Sequence, residues 1–132
     1  MKKEYREGED PFSFFDNKDS NSKQVKYNGI DAIVFREHGD YATIIAISGR
    51  EGTWNEAVQY TKSMNGYWRL PSKEELIMMS PKLQPNNYWS YEEVDDSHAI
   101  YYHQENNESY SANKNRTFYI LPLAIVRIAE LE

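Results

Sequence analysis

The chain has 132 residues, a formal net charge of −6 and no cysteine. That length suits one domain able to bury about two thirds of its unfolded surface. The acidic balance disfavours a nucleic-acid backbone as partner, and the missing thiols exclude disulfides and cysteine chemistry.

Residues 1–24 are charged and polar apart from Pro11-Phe12-Ser13-Phe14-Phe15. Three aromatics in four positions are an odd choice for a solvated tail. We read this segment as an N-terminal arm whose Phe12, Phe14 and Phe15 dock on another protein subunit. No apolar run follows Met1-Lys2-Lys3, so neither a signal peptide nor a membrane span is expected.

The globular domain is expected over residues 25–132. Apolar, β-branched runs at 30–36 and 41–48 flank His38-Gly39-Asp40 and predict a hairpin. Ile33-Val34-Phe35 and Ile44-Ile45-Ala46-Ile47 are continuous apolar stretches, which predicts strands covered on both faces. Thr53-Trp54-Asn55-Glu56 is a capping box opening a first helix that stops at Asn65-Gly66. Within it Trp54, Ala57, Val58, Thr61 and Met64 recur at helical spacing as one buried stripe.

A second capping box, Ser72 with Glu75, starts a short helix from Lys73 to Met79 that Pro81 ends. Trp68 and Trp89 bracket this helix and are expected in the core. Tyr88-Trp89-Ser90 reads as strand, as do 99–103 and 123–129, with loops between the last two. Two early helices with strands at both ends predict an α+β fold whose final strand lies near the first.

The order of helix, Gly66-Tyr67-Trp68-Arg69-Leu70-Pro71-Ser72-Lys73-Glu74-Glu75-Leu76, spacer, Tyr88-Trp89-Ser90 and final Ile125-Val126-Arg127-Ile128 resembles a family. It is similar to the C-type-lectin-like domain that ends collagen-like bacterial adhesins, with related domains in bacterial lipoproteins and phage structural proteins. The resemblance covers roughly residues 25–129. It implies a C-type-lectin-like fold with two helices and a mixed, mainly antiparallel sheet. It also implies a non-enzymatic attachment module. The expected setting is a phage virion (a head-decoration, fibre or tail-tip component), with a bacterial surface adhesin binding a glycan or protein as the alternative.

Catalytic and metal signatures are weak. His98 and His103 are five apart, on opposite faces of a strand, and His38 reads as a turn residue. Gln84-Pro85-Asn86 resembles the tripeptide of calcium-dependent lectins, but no Trp-Asn-Asp follows and the oxygen ligands that calcium needs are missing. Glu75 is committed to capping, which leaves Glu74 without a carboxylate partner, and Asp95-Asp96 reads as a solvated turn. No cofactor and no metal are expected.

Recognition is expected over residues 86–119, where Asn, Tyr, Ser, Asp and His fill more than half the positions. Such residues join rigid aromatic faces to adaptable hydrogen bonding. Tyr91, Tyr101, His103 and Tyr110 are the candidate aromatic contacts, with Asn106, Asn107 and Asn113 as polar ones. The ligand class is a glycan or cell-surface receptor. Strand alternation puts Tyr101 and His103 on one face and Tyr102 in the core.

Overall fold

The computed structural model describes residues 23–47 and 50–132. Phe12, Phe14 and Phe15 of the expected arm lie outside the described residues. The chain runs β1 (Lys23–Tyr27), β2 (Ile30–His38), β3 (Tyr41–Ala46), β4 (Arg50–Gly52), α1 (Trp54–Ser63) and α2 (Lys73–Met79). It continues through β5 (Asn87–Glu93), β6 (His98–His103), β7 (Glu108–Asn113), β8 (Phe118–Ile120) and β9 (Leu123–Arg127). The fold is α+β, mostly strand, and no helix among the described residues is long and apolar enough to cross a membrane.

The turns follow from local chemistry. Asn28 and Gly29 both adopt positive φ, so an Asn-Gly turn of type I′ joins β1 to β2. Gly39, at φ 66°, opens the two-residue turn of the expected β2–β3 hairpin, in which His38 pairs with Tyr41. Both capping boxes form. Thr53 Oγ1 accepts from Glu56 N at 3.2 Å, and Ser72 Oγ from Glu75 N at 3.0 Å, with the glutamates returning the bond to the cap amides. α1 ends in extended Met64, and the positive φ falls at Gly66, where a Cβ would meet the Tyr27 ring at 2.5 Å.

The expectation of a single sheet is corrected. The strands form two sheets, one ordered β1-β2-β3-β9 and one β4-β8-β5-β6-β7, antiparallel except where β5 meets β8. Residues 108–113 and 118–120, expected as loops, are β7 and β8. Glu108–Asn113 carries Ser and Asn, which are weak strand formers, and it is strand because it pairs residue for residue with β6. β9 joins β3 rather than the first strand. The chain end returns to β1 nonetheless, where Lys26 and Glu132 exchange both backbone hydrogen bonds at 3.0 and 2.9 Å. β1 begins at Lys23, the first of the described residues.

Where its apolar runs lie, the first sheet is covered on both faces. On one face Ile33, Ile45 and Leu123 join Leu76 and Met79 of α2 and Tyr88 and Tyr102 of the second sheet in one core. On the other, Ala32, Ala42, Ile44 and Ala124 are small or branched, which lets Tyr27 and Trp68 lie close. Those two rings meet edge to face at 5.7 Å. The second sheet's remaining face packs on α1 through Trp54, Ala57, Leu70, Trp89 and Phe118.

Trp68 and Trp89 are both buried, as expected. Trp89 Nε1 donates to Gly52 O at 2.9 Å, and Trp54 Nε1 donates to Ser90 O at 2.9 Å. The two indoles thereby staple β4 and α1 to β5 while filling the core. Trp89→Ala should therefore cost about 3–5 kcal/mol in denaturant unfolding, the usual penalty for truncating a large core aromatic. A variant that unfolds at the wild-type midpoint would contradict this packing.

Candidate functional site

Alternation along β5, β6 and β7 sorts the tyrosines. Tyr88 and Tyr102, opposite each other, point into the shared core. Trp89, Tyr101 and Tyr110, also in register, point to the other face. There Tyr101 stacks on Phe118 with ring centroids 4.3 Å apart and meets Tyr110 at 5.8 Å. His103 stands edge-on to Tyr110 at 6.3 Å. The result is an aromatic strip running from buried Phe118, through half-buried Tyr101, to Tyr110, which is 39% exposed.

The β6–β7 turn shapes the strip's outer end. Asn106 N donates to His103 Nδ1 at 3.3 Å, and its amide Nδ2 donates to the Tyr110 hydroxyl at 3.3 Å. With Nδ1 accepting within the turn, the neutral His103 ring carries its proton on Nε2. Asn107 has φ 55°, a value asparagine tolerates better than most residues. Its side chain accepts from the buried Tyr102 hydroxyl.

Beside the strip lies a cleft of about 240 Å³, smaller than the roughly 300–1,000 Å³ of drug-sized sites and suited to one ring or one side chain. Glu51 of β4, Phe118 of β8 and Thr117 just before it form one side. Asn86, Asn87, His103 and Glu105 form the other. Carboxylates, amides, a hydroxyl and an imidazole therefore converge next to an aromatic wall. Such a lining bonds hydroxyl groups while the rings stack on an apolar sugar or peptide face. With Glu51 and Glu105 both present, it repels anions.

The structure unites Tyr101, His103, Asn106 and Tyr110 and separates the other candidates. Asn107 is occupied by Tyr102. Asn113 pairs with His98 at the far end of β6 and holds its own loop, its Oδ1 accepting from Asn115 N at 3.0 Å. Tyr91, 50% exposed, instead lines a second cleft with Arg69, Ser72 and Glu75. Sequence reasoning missed Phe118, Glu51, Thr117 and Glu105. Phe118-Tyr119-Ile120 was readable as a short strand, but nothing local joined it to β4 or β5.

Other sequence expectations find structural roles. His38 Nε2 lies 3.1 Å from Thr43 Oγ1 beside its turn. Asp95 caps the β5–β6 turn, accepting from Ser97 N at 2.9 Å and His98 N at 2.8 Å. The Gln84-Pro85-Asn86 loop is tied down by the Tyr88 hydroxyl to Gln84 O at 2.8 Å and by Gln104 N to Asn86 O at 3.1 Å. Among the described residues no group of three His, Asp or Glu could hold a metal ion.

In the second cleft Arg69 grips Glu75 with two hydrogen bonds, 2.8 and 2.9 Å. Burial pushes the Glu75 carboxyl up, but the Arg69 guanidinium and the Ser72 amide outweigh it and hold the group below the ordinary glutamate range. Its folded-state value is thus lower than its unfolded one. The ion pair contributes stability fully above the ordinary range and loses it as pH falls through the lowered value. Glu75→Gln should lower Tm at pH 7, and its gap from wild type should shrink from about pH 4 downward. A gap of equal size at pH 7 and pH 2.5 would contradict this.

Comparison with protein-family models finds no match to this chain, and comparison with curated proteins finds none either.

Proposed function

We propose that this protein is a non-enzymatic recognition module of C-type-lectin-like fold that binds a neutral glycan. The observation that carries the reading is the Phe118-Tyr101-Tyr110 strip lying against a small cleft of amide, carboxylate and hydroxyl groups. Rings there stack on the sugar's apolar face, and Asn87, His103, Glu51 and Glu105 take its hydroxyls. The fold part of the reading rests on the motif at residues 66–76, whose tryptophan is buried and whose capping box is formed. Its setting is attachment: a component of a phage virion, with a bacterial surface adhesin as the alternative that the same family resemblance carries.

A glycan array with the purified chain tests the reading. Neutral sugars should bind and sialylated or sulfated ones should not, because the cleft's two carboxylates repel them. Replacing Tyr101 and Tyr110 with Ala should weaken binding at least about tenfold, or 1.4 kcal/mol, while the far-UV spectrum stays that of the wild type. Ligand contacts mapping to residues 54–79, or full binding by the double variant, would overturn it.

A further inference from the structure

Among the described residues, α2 covers only part of its face of the first sheet. Its inner row, Ile33-Ile45-Leu123, lies under α2. Two further rows continue the same face, Arg36-Thr43-Ile125 and His38-Tyr41-Arg127, by the observed register. Here Ile125 is 42% and Tyr41 41% exposed. Met78 of α2 borders the patch, 44% exposed, with the Arg36 guanidinium 2.8 Å from its sulfur. The Arg127 guanidinium lies 5.5 Å from the Tyr41 ring. The patch is therefore apolar at its centre and cationic at both ends, in a chain that is acidic overall.

We propose that this face, rather than the neighbouring subunit expected from the sequence, is the seat of the chain's own residues 11–16, docked within the same molecule. Three observations carry it. The first is entry: Lys23 pairs with Val34, so β1 comes in from the end of β2 that holds residues 35–38, which have no β1 partner among the described residues. Lys23 Nζ already reaches Glu37 there, at 3.3 Å.

The second is reach. Phe15 is eight residues before Lys23, a stretch able to span roughly 27 Å. The patch's far corner, at Arg127, is three strand spacings across and four residues along from Lys23, about 20 Å in all. The third is charge. Phe12, Phe14 and Phe15 are flanked by Glu9, Asp10 and Asp16, which match Arg36 and Arg127, while the rings match Tyr41, Ile125 and Met78. A tether this short gives the segment an effective concentration in the millimolar range, above that of any second copy in dilute solution.

The absence of native cysteine makes a direct test available. Ser13→Cys is combined with Ile125→Cys, at the proposed seat, or with Ser63→Cys, at the end of α1, in the full chain at low micromolar concentration. Oxidation should close an intramolecular disulfide to position 125 about tenfold faster than to position 63, since the rate follows the effective concentration of the two thiols. Replacing Phe12, Phe14 and Phe15 with Ser in the same background should abolish the difference and leave the thermal melt of the domain intact. High salt should narrow it, because the Asp–Arg attraction is screened. Equal rates to both positions would overturn the proposal. Disulfide-linked dimers through position 125 would also overturn it, in favour of a second copy as the occupant.

Discussion

The four residues from Arg69 to Ser72 hold the molecule together. Arg69 exchanges both backbone hydrogen bonds with Leu123 of β9, at 2.9 and 2.8 Å, which fastens the segment to the first sheet. Pro71 O accepts from Tyr91 N at 3.0 Å, which fastens it to the second. Ser72 caps α2, the helix packed between those sheets. Glu75 closes the unit by serving both the Ser72 amide and the Arg69 guanidinium. Removing any one of these partners leaves a half-buried polar group unpaired, which costs more than the bond itself is worth.

With that junction fixed, the second sheet has one face for the common core and one for α1. α1 covers only part of its face: Trp54 and Ala57 lie over Trp89 and Ala112, and the sheet's other end is left to the tyrosines. The strip is packed within itself. Tyr101 lies between Phe118 and Tyr110, and Asn106 donates to the Tyr110 hydroxyl, so a ligand would meet rings already packed on one another. Preordered aromatics of this kind bind at lower entropic cost than flexible ones.

The two exposed surfaces differ in charge. The cleft carries Glu51 and Glu105, whereas the open rows of the first sheet carry Arg36 and Arg127. They also sit on different sheets, so a segment covering the cationic face leaves the tyrosine strip clear. A division of that kind would let one part of the chain manage its own apolar surface while another meets a partner.

The sequence by itself determined what short windows encode. Both capping boxes, the Gly39 hairpin, the helical stripe from Trp54 to Thr61 and the burial of Trp68 and Trp89 follow from hydrogen bonds and periodicities within a few residues. Alternation alone separated Tyr102 from Tyr101 and His103. Tertiary structure decided the rest. Glu108–Asn113 is too polar to announce itself as a strand, and it becomes one only because β6 offers an edge. The three-residue strands β4 and β8 are defined by pairing with distant strands, and they bring Glu51 and Phe118, with Thr117 just before β8, to a site that composition had assigned to tyrosines, asparagines and His103. Tyr91 and Asn113 belong to the same polar stretch as Tyr110, yet the bulge in β5 and the length of β7 place them elsewhere. Strand pairing joins residues far apart in the chain, and its free energy comes from contacts that no local window contains.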